Sequence, residues 1–240
     1  MYWFAKIELQ YQVDTETKKW TLKTSLSKEN PSHPNQSHRN QSILWAVNHL
    51  NKRDFVILDT ETTGIAKSDQ IVQISMVDSS GSTLFSSLVK PVRKKKFSDE
   101  AISVHGITID KVKDAPNIDE ILEELNKLVG DKIVLAYNAD FDKRLLDQSC
   151  EKVNIPTPRW TWECAMLQYS QYVGELGRKG DYRYQKLPRT SKSSLHDATE
   201  DCVLTLEVLK KMATSTANIG LLVWALGKIF DPILDKIWPD

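Results

Sequence analysis

Cysteine is scarce in this sequence, with three among 240 residues, at Cys150, Cys164 and Cys202. An odd number without metal-site spacing excludes a disulfide scaffold and suits a reducing compartment, so a cytoplasmic location is expected. Net charge is missing too, because 32 basic side chains cancel 32 acidic ones. No global field draws the chain to nucleic acid or anionic lipid, and any such attraction must be local. Long apolar runs are absent, and nothing approaches the roughly 20 residues of a spanning helix. The start, MYWFAKIELQ, lacks the basic-then-apolar layout of a secretory signal. Secreted, collagen-like and integral-membrane classes fall away. What is present, 40% hydrophobic and 27% charged residues, describes a globular chain long enough to bury a core.

The pattern along the chain predicts an α/β fold with two attachments. Residues 1–26 read as a hairpin. Trp3, Ala5, Ile7, Leu9, Tyr11 and Val13 alternate with mostly polar neighbours, and Trp20, Leu22, Thr24 and Leu26 do so again after a polar turn. Residues 27–42 carry no aliphatic or aromatic side chain and read as a linker, with Ser42 capping a short helix that ends near Lys52. From Asp54 onward the segments FVILDT, IVQISMVD and TLFSSLVK are expected strands. A helix (IDEILEELNKLV), a buried strand (KIVLAY) and a second helix (FDKRLLDQSCEKV) follow, then the helical segments ECAMLQYSQYV and DATEDCVLTLEVLKKMA. This order implies a mixed sheet flanked by helices. The expected units are 1–52, 53–214 and an amphipathic C-terminal helix over 215–240, suited to packing on the domain, docking a partner or lying on a membrane surface.

Three acidic clusters fall on expected strand ends and helix starts. Asp59 and Glu61 are two apart on a strand, so their carboxylates share one side. They repel unless a cation sits between them. Asn138-Ala139-Asp140-Phe141-Asp142 follows KIVLAY at a strand-to-helix junction, where open sheets carry chemistry. Asp140 reads as a helix cap there, and the helix dipole also accounts for Asp142 in the first turn. In His196-Asp197-Ala198-Thr199-Glu200-Asp201, Asp197 and Glu200 have capping-box spacing, which puts His196 before a helix and Asp201 at the end of its first turn.

Together these clusters resemble the motifs of the DEDDh-type, DnaQ-like 3′–5′ exonucleases, the family of bacterial proofreading subunits. FVILDTETTG is similar to the first motif, VLAYNADFD to the second and HDATED to the third, and SVHGIT resembles a segment of the proofreading branch. The resemblance spans about residues 54–214. It implies a ribonuclease-H-like fold and two divalent ions, Mg²⁺ or Mn²⁺, held by Asp59, Glu61, Asp142 and Asp201. It implies His196 as general base, and Thr62, Glu100, His105, Asn138 and Phe141 as contacts to the terminal nucleotide. Oxygen ligands suit hard ions, and histidine titrates near neutrality. The expected activity is 3′–5′ hydrolysis of single-stranded DNA to nucleoside 5′-monophosphates. An exoribonuclease and a non-catalytic nucleic-acid-binding or polymerase-tethering module are the alternatives.

Residues 169–192 interleave four tyrosines with six basic residues, the mixture a single strand requires. DYRYQKLP resembles a loop of bacterial and phage members of the family, which marks Arg183 and Tyr184 as expected strand contacts. The run Arg93–Lys96 reads as a solvated turn or as a contact to the distal backbone. Only PRTSKSS separates Leu187 from Leu195, where many members carry a longer helical segment. The termini are expected to serve docking to a polymerase or other protein.

Overall fold

The computed structural model describes residues 10–13, 20–23, 32–92, 97–189 and 195–214. Strands β1 (Gln10–Val13) and β2 (Trp20–Lys23) form a separate antiparallel pair. The rest of the expected hairpin, the basic run at 93–96 and the expected C-terminal helix lie outside the described residues.

The main sheet has the order β5-β4-β3-β6-β7, built from β3 (Phe55–Thr62), β4 (Ile71–Val77), β5 (Thr83–Leu88), β6 (Ile133–Ala136) and β7 (Thr161–Cys164). β3, β4 and β5 pair antiparallel, whereas β6 and β7 join β3 in parallel. The parallel half requires crossover helices. These are α4 (Ile118–Val129) between β5 and β6, and α5 (Ala139–Lys152) between β6 and β7. Both helices pack on one face, where Val56 and Leu58 meet Leu125, Val129, Leu145 and Leu146. The opposite face, with Phe55 and Ile57, is covered by α1 (Gln36–Lys52), α6 (Ala165–Val173) and α7 (Ala198–Ala213). β3 is therefore buried on both sides, which explains its unbroken apolar run. Two short helices, α2 (Asp99–His105) and α3 (Ile109–Val112), cross beyond the sheet and pack Ile107 and Val112 against Phe97 and Val72.

The structure corrects the expected linker and three details of the element assignment. Helix α1 begins at Gln36, capped by Asn35, so residues 36–42 are helical and Ser42 is buried inside the helix. Tertiary contacts rather than periodicity hold this polar turn. His33 bonds the Gln171 carbonyl at 2.7 Å, His38 the Tyr182 hydroxyl at 2.9 Å, and Arg39 lies 4.5 Å from the Tyr172 ring centre. Asp140 does not cap α5. The cap position is Asn138, whose carbonyl accepts from Phe141 and Asp142, and Asp140 lies exposed in the first turn. ECAMLQYSQYV is not wholly helical, because Glu163 and Cys164 end the edge strand β7. Finally, α2 and α3 come from a stretch with no apolar period of its own.

Candidate active site

Strand alternation sorts the acids between the two layers. Asp59 and Glu61 continue the side of Phe55 and Ile57, toward α7, and Thr60 faces α5. Thr60 donates from both its amide (3.1 Å) and its hydroxyl (2.8 Å) to Asp142 Oδ1, which ties the first turn of α5 to β3. Asp201 sits on the first turn of α7, which Asp197 caps by accepting from the amides of Thr199 and Glu200. Gln73 on β4 donates to that same Asp197 at 2.9 Å, fixing the α7 N-terminus over the sheet. Glu61, Asp142 and Asp201 are all at least 93% buried, being 7%, 3% and 5% exposed. A register shift in the β3–β4 pairing falls between Glu61 and Thr62, a common device beside functional sites.

Electrostatics shows how tightly these acids are gathered. Burial, and then repulsion from Asp142, Asp201 and Glu61, pushes the Asp59 pKa well above the carboxylate range. Glu61 rises to about 8, chiefly through burial and then through Asp201, with Arg189 pulling the other way. Asp142 rises to about 7 through burial, against the two bonds from Thr60, and Asp201 to about 6 through burial, against Arg189. A cluster that holds protons near neutrality has less countercharge than its acids require, even with Arg189 beside it.

These residues fit divalent cations. Glu61, His196 and Asp201 present ligand atoms within 4.8 Å of one another. The Asp201 Oδ1 atom is buried with no hydrogen-bond donor among the described residues. A buried, unpartnered carboxylate oxygen beside another acid and a histidine suits a hard ion.

His196 is half-buried on the loop before α7, its Nδ1 3.6 Å from Asp201 Oδ2 and its amide donating to the Val104 carbonyl at 2.8 Å. Burial, with the nearby Arg189 and His105, lowers its pKa, so the imidazole is neutral at neutral pH. Arg189 itself reaches into the cluster. Its Nη2 donates to Asp201 Oδ2 and, at 2.8 Å, to His196 Nδ1.

A cavity of about 440 Å³ opens beside the acids, lined by Thr62, Glu100, His105 and Phe141 together with Glu61, Ile65, Ala101 and Val104. His105 is a strut as well as a wall. Its Nδ1 accepts from the Ile107 amide at 2.9 Å, which leaves Nε2–H to donate to the Thr62 carbonyl at 3.0 Å. Asp69 shapes the rim by accepting from the Thr63 hydroxyl (2.7 Å) and the Ala66 amide (2.6 Å). Ile65 is left 81% exposed on that rim.

The structure thus brings together Asp59, Glu61, Asp142, Asp201 and His196, and gathers Thr62, Glu100, His105 and Phe141 around the adjoining cavity. Asn138 is exposed at the α5 cap and does not line that cavity. Arg183 and Tyr184 do not line it either. They sit on the exposed 175–185 hairpin, where Arg183 pairs with Glu175 at 2.7 Å. Sequence reasoning missed Asp69, Ile65 and the entry of Arg189 into the site. In the sequence Arg189 is one of six basic residues within 169–192, and no spacing sets it apart.

An acid-and-histidine centre at the strand ends of such a sheet, beside a nucleotide-sized cavity, defines a nuclease. The RNase T-type exonuclease pattern matches residues 56–209. The chain belongs to this exonuclease family, of the DnaQ-like type. It is 32% identical over 177 residues to the uncharacterized exonuclease CP81 of Escherichia phage 186, covering 68% of this chain and 90% of that one. It is 29% identical to DNA polymerase III PolC-type of Staphylococcus haemolyticus, covering 72% of this chain but only 12% of that one. Escherichia coli exonuclease I in complex with a dA16 oligonucleotide shares the fold, at 19% identity and a TM-score of 0.53, over 67% of this chain and 41% of that one.

Proposed function

We propose that the protein is a metal-dependent 3′–5′ exonuclease that releases nucleoside 5′-monophosphates from single-stranded or frayed DNA ends. The observation that carries this reading is the adjacency of four carboxylates, three of them buried, and a neutral histidine to a cavity sized for one nucleotide. Glu61 and Glu100 line the cavity and offer carboxyl oxygens as acceptors to a free 3′-hydroxyl, which supports the 3′–5′ polarity. Asp59, Glu61, Asp142 and Asp201 would hold the divalent ions, Mg²⁺ or Mn²⁺. When bound, such ions supply Lewis acidity toward the phosphate and make water a better nucleophile near neutrality. His196 takes the proton of the attacking water, whose oxygen joins the phosphorus as the bond to the penultimate 3′-oxygen breaks. Thr62, Phe141 and His105 hold the terminal nucleotide, and Arg183 and Tyr184 meet the strand further out.

An exoribonuclease uses the same centre, and nothing in the cavity reads a 2′-hydroxyl selectively. The likeness to a PolC-type polymerase supports a second role, docking of the terminal regions 1–52 or 215–240 to a polymerase. Among the described residues no helix is long and apolar enough to cross a membrane, and three free cysteines suit a cytoplasmic enzyme.

The test uses 5′-labelled single-stranded DNA and RNA of matched sequence in Mg²⁺, Mn²⁺ or EDTA, with Asp142→Ala alongside. A metal-dependent ladder shortening from the 3′ end, absent in the variant, is expected, and the faster substrate decides between DNA and RNA. Failure to cleave either, by folded protein with metal present, overturns the reading.

A further inference from the structure

Arg189 contradicts the simplest picture of a metal centre, because it puts a cation of the chain's own where a divalent ion belongs. Its side chain is 21% exposed and its Nη2 serves Asp201 Oδ2 and His196 Nδ1 together. A guanidinium only donates, so His196 Nδ1 is the acceptor and the ring proton sits on Nε2. In this arrangement one prong of Arg189 covers an oxygen of a metal-binding acid and the accepting nitrogen of the base.

The grip is incomplete. A guanidinium and a carboxylate that are permanent partners meet with two parallel bonds. Here Arg189 Nη1 and Asp201 Oδ1 are both buried and neither has a hydrogen-bond partner among the described residues. Two atoms that would complete a fork stay unpaired, so the contact satisfies neither group fully and is readily exchanged.

We propose that Arg189 is a built-in placeholder for a divalent cation, covering Asp201 and His196 in the metal-free enzyme and passing to the oxygens of the nucleotide phosphate when metal enters. The proposal rests on the exonuclease reading above. Charge dictates the exchange. Four carboxylates balance two divalent ions, so a loaded centre has no net charge left to hold the guanidinium, and the ions compete with it for Asp201. The scissile phosphodiester then carries the neighbouring unpaired negative charge, and arginine is suited to its oxygens. Release from Nδ1 also frees His196 to accept a proton at the moment substrate is engaged. Arg189 would thus link metal uptake, base availability and phosphate binding.

The experiment measures Mn²⁺ affinity directly, by the electron paramagnetic resonance signal of free ion, for wild type, Arg189→Gln, Arg189→Lys and Asp201→Asn. Calorimetry then follows nucleoside 5′-monophosphate binding to the Mn²⁺-saturated proteins. Removing the competitor is expected to tighten Mn²⁺ binding by Arg189→Gln roughly tenfold, equivalent to about 1.4 kcal/mol, and to weaken monophosphate binding by a similar factor. Arg189→Lys can hold one acceptor at a time, so it should fall between, about threefold tighter for Mn²⁺. It carries the test if the glutamine variant does not fold. Unchanged or weaker Mn²⁺ binding by the Arg189 variants overturns the placeholder, and unchanged monophosphate binding overturns its transfer to phosphate. Wild-type Mn²⁺ affinity in Asp201→Asn overturns instead the assignment of Asp201 as a metal ligand, so the two failures are distinguishable.

Discussion

The carboxylate cluster should make the metal-free protein lose stability as pH rises, and Glu61→Gln should remove much of that loss. Glu61 is buried near Asp201 and Asp142, and its pKa climbs from 4.5 to about 8. A carboxyl raised in this way favours the folded state below pH 4.5, and the benefit disappears as pH rises through about 8. The gap between 4.5 and about 8, at about 1.36 kcal/mol per pH unit, sets a ceiling of about 5 kcal/mol. Protons shared among interacting acids reduce the part belonging to Glu61 to on the order of 2–3 kcal/mol. The assay is urea unfolding in EDTA from pH 5 to pH 8 for wild type and Glu61→Gln. Wild type should weaken with pH more steeply than the variant, by about 2–3 kcal/mol across the range. Added Mg²⁺ should stabilise wild type at pH 8 by more than it stabilises the variant, which keeps only Asp59, Asp142 and Asp201. Parallel profiles for the two proteins would refute the argument, because they would mean that ionising Glu61 costs the fold nothing.

Three further outcomes follow from particular contacts. His196→Ala should lower kcat about 10²–10⁴-fold, the usual range for a lost general base, with an unchanged thermal midpoint because the ring is half-buried on a loop; a wild-type rate would remove His196 from the reaction. Gly174→Ala should destabilise by about 2–3 kcal/mol in chemical denaturation, since the residue is left-handed (φ +80°) and a Cβ there overlaps the His33 ring. A chain trimmed to 54–214 should lose at least about 3 kcal/mol against 32–214, because it uncovers the sheet face beneath Ile43, Ala46 and His49 of α1; equal urea midpoints would show that α1 is an attachment and not part of the domain.

Where one physical signal dominated, the fold was legible in the sequence. The run FVILDT reads as a buried strand because β3 is covered on both faces, and Ile118, Ile121, Leu122 and Leu125 mark α4 because its opposite face is solvated. The elements that escaped lack such a signal. Strand β7 has an edge position and four half-exposed or exposed residues, so no apolar pattern distinguishes it from the helix that follows. The first two turns of α1, and His33 just before them, are polar because they meet hydroxyl, carbonyl and aromatic partners on α6 and the 175–185 hairpin. Composition alone reads such residues as linker. Trp45 and His49 extend the same logic, both meeting Glu163 Oε2 on β7, the histidine at 3.0 Å.

The acids and the arginine of the site differ in legibility for a related reason. Asp59, Glu61, Asp142 and Asp201 each occupy a position that secondary structure defines: two on a strand, and one in the first turn of each of two helices. Their convergence follows once the sheet order is known, and motif spacing records it. Arg189 belongs to no helix or strand, and it reaches Asp201 from a segment whose path is set by tertiary bonds such as that from Tyr137 to the Gln185 carbonyl at 2.8 Å. Spacing therefore carries no trace of it. A cation held by irregular backbone can be shifted without unfolding an element, whereas the acids cannot. The rigid part of the centre is thus written in the motifs, and the movable part emerges only from the fold.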